Sequence, residues 1–139
     1  MGMLDGKVVA VTGAGRGVGR EIALLCAAHG AAVIVNDPGV GGGGEGGDAG
    51  PAQDTVNDIL AAGGKAHANM ASVADPVGAT SIIEDAVQRF GRIDAVVNNA
   101  GILRDKSFSK MELDDFRLVM EVHLMGAVHC SKAVWPHMN

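Results

Sequence analysis

Short apolar runs alternate along the chain with longer segments in which apolar residues recur at helical spacing. The short runs predict buried β-strands at 7–12, 32–36, 66–70 and 93–97. The longer segments predict helices at 18–29, 51–62, 76–90 and 112–138. Short strands joined by helices require right-handed crossovers, so we expect an α/β fold with a doubly wound parallel sheet. Ligands of such a sheet bind beyond the carboxyl ends of its strands, where the strand order reverses.

The final predicted helix carries more apolar surface than one buried face needs. The row expected to face the core consists of Phe116, Val119, Met120, Leu124 and Ala127. A second row consists of Leu118, Val122 and Met125. Because one side of a helix can cover only one such row, the pattern predicts a homo-oligomer, a dimer or tetramer, paired through the 112–138 helix.

A glycine-rich stretch over 38–50 interrupts the alternation of strands and helices. Such a sequence packs poorly, so we expect a flexible loop exposed to solvent. A phosphate-binding role is not favoured, because no Lys-Ser/Thr pair follows the glycines.

A second glycine cluster, with the sequence TGAGRGVG over 12–19, joins the first predicted strand to the first predicted helix. Gly13 permits a tight turn, Gly17 lets the backbone approach a pyrophosphate, and Gly19 permits close helix–strand contact. The helix N-terminus attracts the anion. The spacing fits neither G-x-G-x-x-G nor a Walker A loop. The predicted dinucleotide contacts in this turn are Thr12, Gly13, Gly15, Arg16, Gly17, Val18 and Gly19.

Asp37 stands at the end of the second predicted strand. A carboxylate there can accept hydrogen bonds from both hydroxyls of an adenosine ribose and would repel a 2′-phosphate, which favours NAD over NADP. Arg16 is the opposing observation, because an arginine in the turn could pair with that phosphate. Asp37 could also simply begin the loop before Pro38. We give Asp37 more weight than Arg16, because no basic residue accompanies it at the strand end.

Composition excludes several function classes. The chain has 139 residues, a net charge of −5 and a sequence pI near 5.4, which argues against nucleic-acid binding. It has no apolar run long enough for a membrane helix, and its N-terminus lacks a signal-peptide pattern. The two cysteines, Cys26 and Cys130, fall among apolar neighbours and are expected to be buried thiols. We therefore expect a cytoplasmic protein.

Two motifs together carry a family resemblance. The pattern Thr-Gly-x-x-x-Gly-x-Gly over 12–19 and the sequence NNAG over 98–101 resemble the short-chain dehydrogenase/reductase family across essentially the whole chain. The resemblance implies a Rossmann-type sheet and a nicotinamide cofactor whose adenosine side lies against Asn99, Ala100 and Gly101. It also implies adenine contacts from Ser72 and Val73. The family usually has Asp-Val at those two positions, so Ser72 departs from its pattern.

His123 departs from the family pattern at a second position. Family members usually have an Asn there, in Val-Asn-x-x-Gly, that helps hold a proton-relay water, and this chain has VHLMG over 122–126. A histidine can also hold a water or relay a proton, which makes His123 the candidate catalytic residue. Alternatively it is a hydrogen-bonded helix histidine. No histidine lies four positions from His123, so no i,i+4 metal pair is predicted.

A narrower resemblance rests on AGILRD over 100–105, the glycine-rich stretch and His123. These features look like the (3R)-hydroxyacyl-CoA dehydrogenase unit of multifunctional β-oxidation enzymes and its bacterial relatives. That resemblance implies hydride transfer between a nicotinamide cofactor and a small-molecule substrate, a secondary alcohol or ketone such as a 3-hydroxyacyl-CoA.

The family's Ser and Tyr-x-x-x-Lys have no counterpart here, and the sequence contains no tyrosine. We therefore expect residues 1–139 to be the N-terminal part of one dinucleotide-binding domain, truncated at its C-terminus. A dinucleotide-binding module without catalysis is the second hypothesis. A methyltransferase-type doubly wound fold is the third, and NNAG over 98–101 argues against it.

Overall fold

The computed structural model describes residues 2–39 and 50–138. The glycine-rich stretch predicted to be a flexible loop therefore lies almost entirely outside the described residues.

A four-stranded parallel sheet forms the centre of the molecule. Its strands are β1 (Val8–Val11), β2 (Ala32–Asn36), β3 (Lys65–Asn69) and β4 (Ala95–Val97), in the order β3-β2-β1-β4. The chain runs outwards from β1 through β2 to β3 and then crosses to the other side of β1 to form β4. The strand order thus reverses at β1 and β4, where a ligand crevice is expected. The predicted fold class is confirmed.

Helices cover both faces of the sheet. They are α1 (Gly17–Ala28), α2 (Gly50–Ala61), α3 (Pro76–Phe90), α4 (Leu113–Met120) and α5 (Gly126–Val134). One core lies between the sheet and α1 and α2 and contains Val35 and Ile59. The other lies between the sheet and α3 and α5 and contains Ile34 and Ile82. Neighbouring residues of β2 thus enter opposite cores, as in a parallel strand buried on both faces.

The final helix has the predicted extent but is not uniform. A π-helical turn over Glu121–Met125 joins α4 to α5, and 3₁₀ turns lie at Phe108–Lys110 and Trp135–His137. π-helical turns occur mostly as single turns within α-helices, often at functional sites. The spacing of apolar residues does not reveal this turn, which contains His123.

The prediction for the buried row of this helix is wrong. Phe116, Met120 and Leu124 are 49%, 38% and 51% exposed. The buried positions are instead Gly126, Cys130 and Val134. A Cβ on Gly126 would lie 2.6 Å from Val73 Cγ2, so the glycine lets this side of the helix approach the neighbouring loop. Because glycine contributes no apolar side chain to the pattern, the hydrophobic periodicity of the last helix indicates the wrong side as the buried one.

Both cysteines are free thiols among apolar neighbours. Cys130 is fully buried, and this burial raises the pKa of its thiol to about 11. Burial also raises the pKa of the half-buried Cys26. Both thiols are therefore protonated at neutral pH and pack as small apolar groups.

Candidate dinucleotide site

A cavity of about 620 Å³ opens beyond the carboxyl ends of the strands. The predicted site residues that line it are Gly13, Arg16, Val18, Asp37, Ser72, Val73, Asn99, Ala100, Gly101 and His123. The other four predicted residues, Thr12, Gly15, Gly17 and Gly19, are not part of its lining. Lining residues that sequence reasoning did not assign to the site are Asn36, Pro38, Ala74, Ile102, Leu103, Leu118 and Val122. The volume falls within the range of small-molecule sites, roughly 300–1,000 Å³.

Thr12 and Asn99 join the glycine turn to the end of β4. The Thr12 hydroxyl accepts hydrogen bonds from the Asn99 and Ala100 N–H groups, both at 3.0 Å. The Asn99 side-chain amide donates to the carbonyls of Thr12 at 3.1 Å and Gly13 at 3.2 Å. Thr12 is 1% exposed, so these bonds are shielded from water. The two sequence motifs are therefore one hydrogen-bonded unit.

The glycines of the turn serve different contacts. A Cβ on Gly13 would lie 2.8 Å from Ala100 Cα, and a Cβ on Gly19 would overlap the Asn99 side chain and the Gly13 carbonyl. Gly13 and Gly19 must therefore lack a side chain for the hydrogen-bonded unit of Thr12 and Asn99 to form. Gly17 differs, because it has a φ of +58° and because, in the part of the chain that the structure describes, an added Cβ there would have no neighbour within 4 Å apart from the adjacent residues and the backbone of α1. Its space is open in front of α1, which suits the approach of a ligand.

Asp37 is hydrogen-bonded to both segments beside it. Its Oδ2 accepts the Gly15 N–H at 3.0 Å, and its Oδ1 accepts the Gly39 N–H at 2.8 Å, so it shapes both the turn and the start of the next loop. A Cβ on Gly15 would lie 2.7 Å from Asp37 Oδ2, which explains that glycine. Each carboxylate oxygen has further lone pairs, so both can still accept a hydroxyl from a ligand in the cavity.

Sequence reasoning missed a second support of the turn, which comes from α2. The fully buried Thr55 hydroxyl donates to the Ala14 carbonyl at 3.1 Å. Arg20 donates to Thr55 Oγ1 at 3.1 Å and is hydrogen-bonded to Asp58, which raises the pKa of the guanidinium. These residues lie far apart in the sequence, and no local motif marks them.

The charged groups among the described lining residues are Arg16 and Asp37. Arg16 precedes the first residue of α1, where unpaired backbone N–H groups and the helix dipole also attract anions. The cavity therefore offers a positive end to a phosphate and an acceptor pair to hydroxyl groups. Within residues 2–39 and 50–138, no group of three His, Cys, Asp or Glu side chains could hold a metal ion.

His123 lies in the wall of the cavity and is also hydrogen-bonded. Its Nε2 lies 3.0 Å from the Ile102 nitrogen and 2.9 Å from the Ile102 oxygen. Depending on the tautomer, the ring accepts from the first or donates to the second. The π-helical turn thus connects to the loop that follows β4.

A family model described as short chain dehydrogenase matches residues 7–139. The chain belongs to the short-chain dehydrogenase family. It is 48% identical over 135 residues to the peroxisomal hydratase-dehydrogenase-epimerase of Neurospora crassa, covering 97% of this chain and 15% of that protein. It is also similar to a short chain dehydrogenase structure from Mycobacterium avium, with 45% identity and a TM-score of 0.89, covering 98% of this chain and 49% of that one.

Structures of dehydrogenases with either cofactor resemble this chain at 35% identity and a TM-score of 0.86. One is a 7α-hydroxysteroid dehydrogenase with NADH, and the alignment covers 97% of this chain and 49% of that one. The other is a short chain dehydrogenase from Burkholderia cenocepacia with NADP, and the alignment covers 98% of this chain and 52% of that one. This short-chain dehydrogenase chain thus spans about half the length of the solved structures, and its family supports a nicotinamide cofactor of either kind.

Proposed function

We propose that the protein is an NAD-dependent oxidoreductase that transfers hydride between the nicotinamide cofactor and a secondary alcohol or ketone. The observation that carries this proposal is the cavity beside Asp37, supported on one side by the unit of Thr12 and Asn99. The cofactor would supply the hydride chemistry, and the protein would supply binding, orientation and proton transfer. The described residues fit the adenosine and pyrophosphate parts of such a cofactor in charge, volume and acceptor placement.

NAD rather than NADP is the cofactor that Asp37 favours. A 2′-phosphate beside this carboxylate would meet like charge, whereas two ribose hydroxyls would each find an acceptor oxygen. Arg16 lines the same cavity and is the feature that could offset the repulsion. We assign Arg16 to the pyrophosphate, since it stands at the N-terminal end of α1.

The substrate class that we propose is a 3-hydroxyacyl-CoA. Its support is the AGILRD sequence over 100–105, His123 and the similarity to a hydratase-dehydrogenase-epimerase. Incubation of the full-length protein with NAD and a (3R)-3-hydroxyacyl-CoA should produce NADH, measured by its absorbance, while the (3S) isomer serves as the matched control. Tight NAD binding without NADH formation from either isomer or from simple secondary alcohols would favour the alternative of a non-catalytic binding module.

We also propose that His123 takes part in proton transfer by holding a water at the cavity wall. His123→Asn, which restores the family's usual residue, should retain most of the activity of the full-length protein. His123→Leu should lower kcat about 100-fold, the lower end of the contribution typical of proton transfer by a side chain. Because His123 lines the same cavity as the proposed adenosine contacts, NAD affinity is titrated in both variants, so that a loss of binding is distinguished from a loss in kcat. Equal kcat values for the two variants would contradict this role.

The exposed side of the last helix is the surface that we propose for a homo-oligomer. The apolar side chains exposed along it are Phe116, Met120, Leu124, Val128 and Trp135. Contiguous apolar surface of this kind is typical of protein interfaces. Leu124→Lys should therefore dissociate the full-length protein in sedimentation velocity. Leu60→Lys on α2, at the same exposed fraction of 51%, is the matched control and should leave the assembly intact. A monomeric wild-type protein would contradict the proposal.

We propose a cytoplasmic location on the basis of the sequence alone. In the part of the chain that the structure describes, no helix combines the length and apolar character needed to cross a membrane. The Neurospora crassa relative is named as peroxisomal, so localisation of the tagged full-length protein by microscopy is the measurement that decides between the two compartments.

A further inference from the structure

Residues 72–74 line the cavity but belong to no helix or strand, and we name them the 72–74 wall. The hydrogen bonds within this segment are local, and a distant one lies directly before it, from Asn36 Nδ2 to the Ala71 carbonyl at 2.9 Å. The Ala74 N–H donates to Ser72 Oγ at 3.2 Å, and the Asp75 N–H donates to the Ser72 carbonyl at 3.2 Å. Local bonds fix the shape of a turn but not its position relative to the sheet. The position of the 72–74 wall must therefore come from contacts with distant residues.

Helix α5 supplies such contacts at Val73. His129 Nδ1 lies 2.8 Å from the Val73 carbonyl oxygen. Because a carbonyl can only accept, Nδ1 carries the proton in this bond. Gly126 lies three residues earlier on the same side of the helix, where an added Cβ would be 2.6 Å from Val73 Cγ2. Val73 is consequently 5% exposed and is held by its carbonyl and by its side chain.

We propose that His129 is a positioning residue of the dinucleotide site. Its hydrogen bond holds the 72–74 wall at the distance from Asp37 and Asn99 that the adenosine end of the cofactor requires. Without the donor, the Val73 carbonyl loses its partner and the wall relaxes, so binding must restore the wall at the expense of affinity. This inference rests on the proposed function, because it needs a dinucleotide in the cavity.

The chain allows a matched test, because asparagine and leucine have nearly the same shape. The asparagine Nδ2 occupies the position of the histidine Nδ1 along the side chain, so His129→Asn keeps the donor and His129→Leu removes it. We expect His129→Leu to weaken NAD and AMP binding about three- to tenfold, the effect of one hydrogen bond. His129→Asn should stay within about twofold of the wild type, as should the exposed control Lys132→Leu.

The measurement is calorimetric titration of the full-length variants with NAD and with AMP, together with their thermal midpoints. A purely structural role would lower the midpoint while leaving affinity unchanged below it. Unchanged affinities in a folded His129→Leu, or equal losses in the leucine and asparagine variants, would overturn the inference. If the leucine variant does not fold, His129→Ala removes the donor without adding bulk and decides in its place. Wild-type protein that binds neither probe would overturn the proposed function and this inference together, whereas normal wild-type binding with an unaffected variant would overturn this inference alone.

Discussion

Replacing Asp37 by alanine should weaken NAD binding by roughly 10- to 100-fold and NADP binding much less. The loss corresponds to two hydrogen bonds from ribose hydroxyls to a charged acceptor, discounted for exposure. NADP would lose a hydroxyl contact but would also be relieved of repulsion between the carboxylate and its 2′-phosphate. Titration of the full-length variant with both cofactors measures the two effects.

The structure adds a complication, because Asp37 also accepts the Gly15 and Gly39 N–H groups. Loss of these bonds would loosen the glycine turn and weaken both cofactors. Comparison of the two cofactors within one variant separates the causes, since turn damage affects both equally. Equal losses for NAD and NADP would contradict the assignment of Asp37 to the ribose. A selective loss of NAD supports it.

Gly17→Val should abolish measurable dinucleotide binding while the helices stay folded. Among the described residues, no atom apart from the chain neighbours and the backbone of α1 lies within 4 Å of a Cβ at this position, so the valine displaces no packed neighbour. Its side chain would instead fill the space in front of α1 where we propose that the pyrophosphate lies. Calorimetry measures the loss of binding, and circular dichroism measures the retained helix content.

Gly6→Val is the matched control for this substitution. Gly6 also has a positive φ, +77°, and open space around an added Cβ, but it lies before β1 and away from the cavity. A β-branched residue at positive φ is strained at both positions, at a cost of roughly 1–2 kcal/mol or more in the free energy of unfolding. Both variants should therefore lose similar stability. Intact NAD binding in Gly17→Val, or equal loss in Gly6→Val, would contradict the proposed place of the pyrophosphate.

Much of the fold follows from local sequence. The apolar runs and helical periodicities predict all four strands and the extent of α3 at Pro76–Phe90, because each element is marked by its own residues. The glycine turn could likewise be recognised, since Gly13, Gly17 and Gly19 follow a strand and precede a helix. The structure then explains why the two motifs belong together, because the bonds from Asn99 to Thr12 and Gly13 join positions 87 and 86 residues apart.

What the sequence could not predict depends on contacts between distant residues. The support of the turn by Thr55 joins positions about 40 apart, and the bond from His129 to Val73 joins positions 56 apart. Gly126 selects the buried side of the last helix by its lack of a side chain, which a hydrophobic pattern cannot register. The π-helical turn at His123 likewise leaves no trace in apolar spacing.

The most direct measurement is titration of the full-length wild-type protein with NAD and with NADP by calorimetry. We predict saturable binding of one dinucleotide per chain, with NAD bound more tightly than NADP and with binding lost in Gly17→Val. Failure of both cofactors to bind, or binding that persists unchanged in Gly17→Val, would contradict the assignment of this cavity to a dinucleotide.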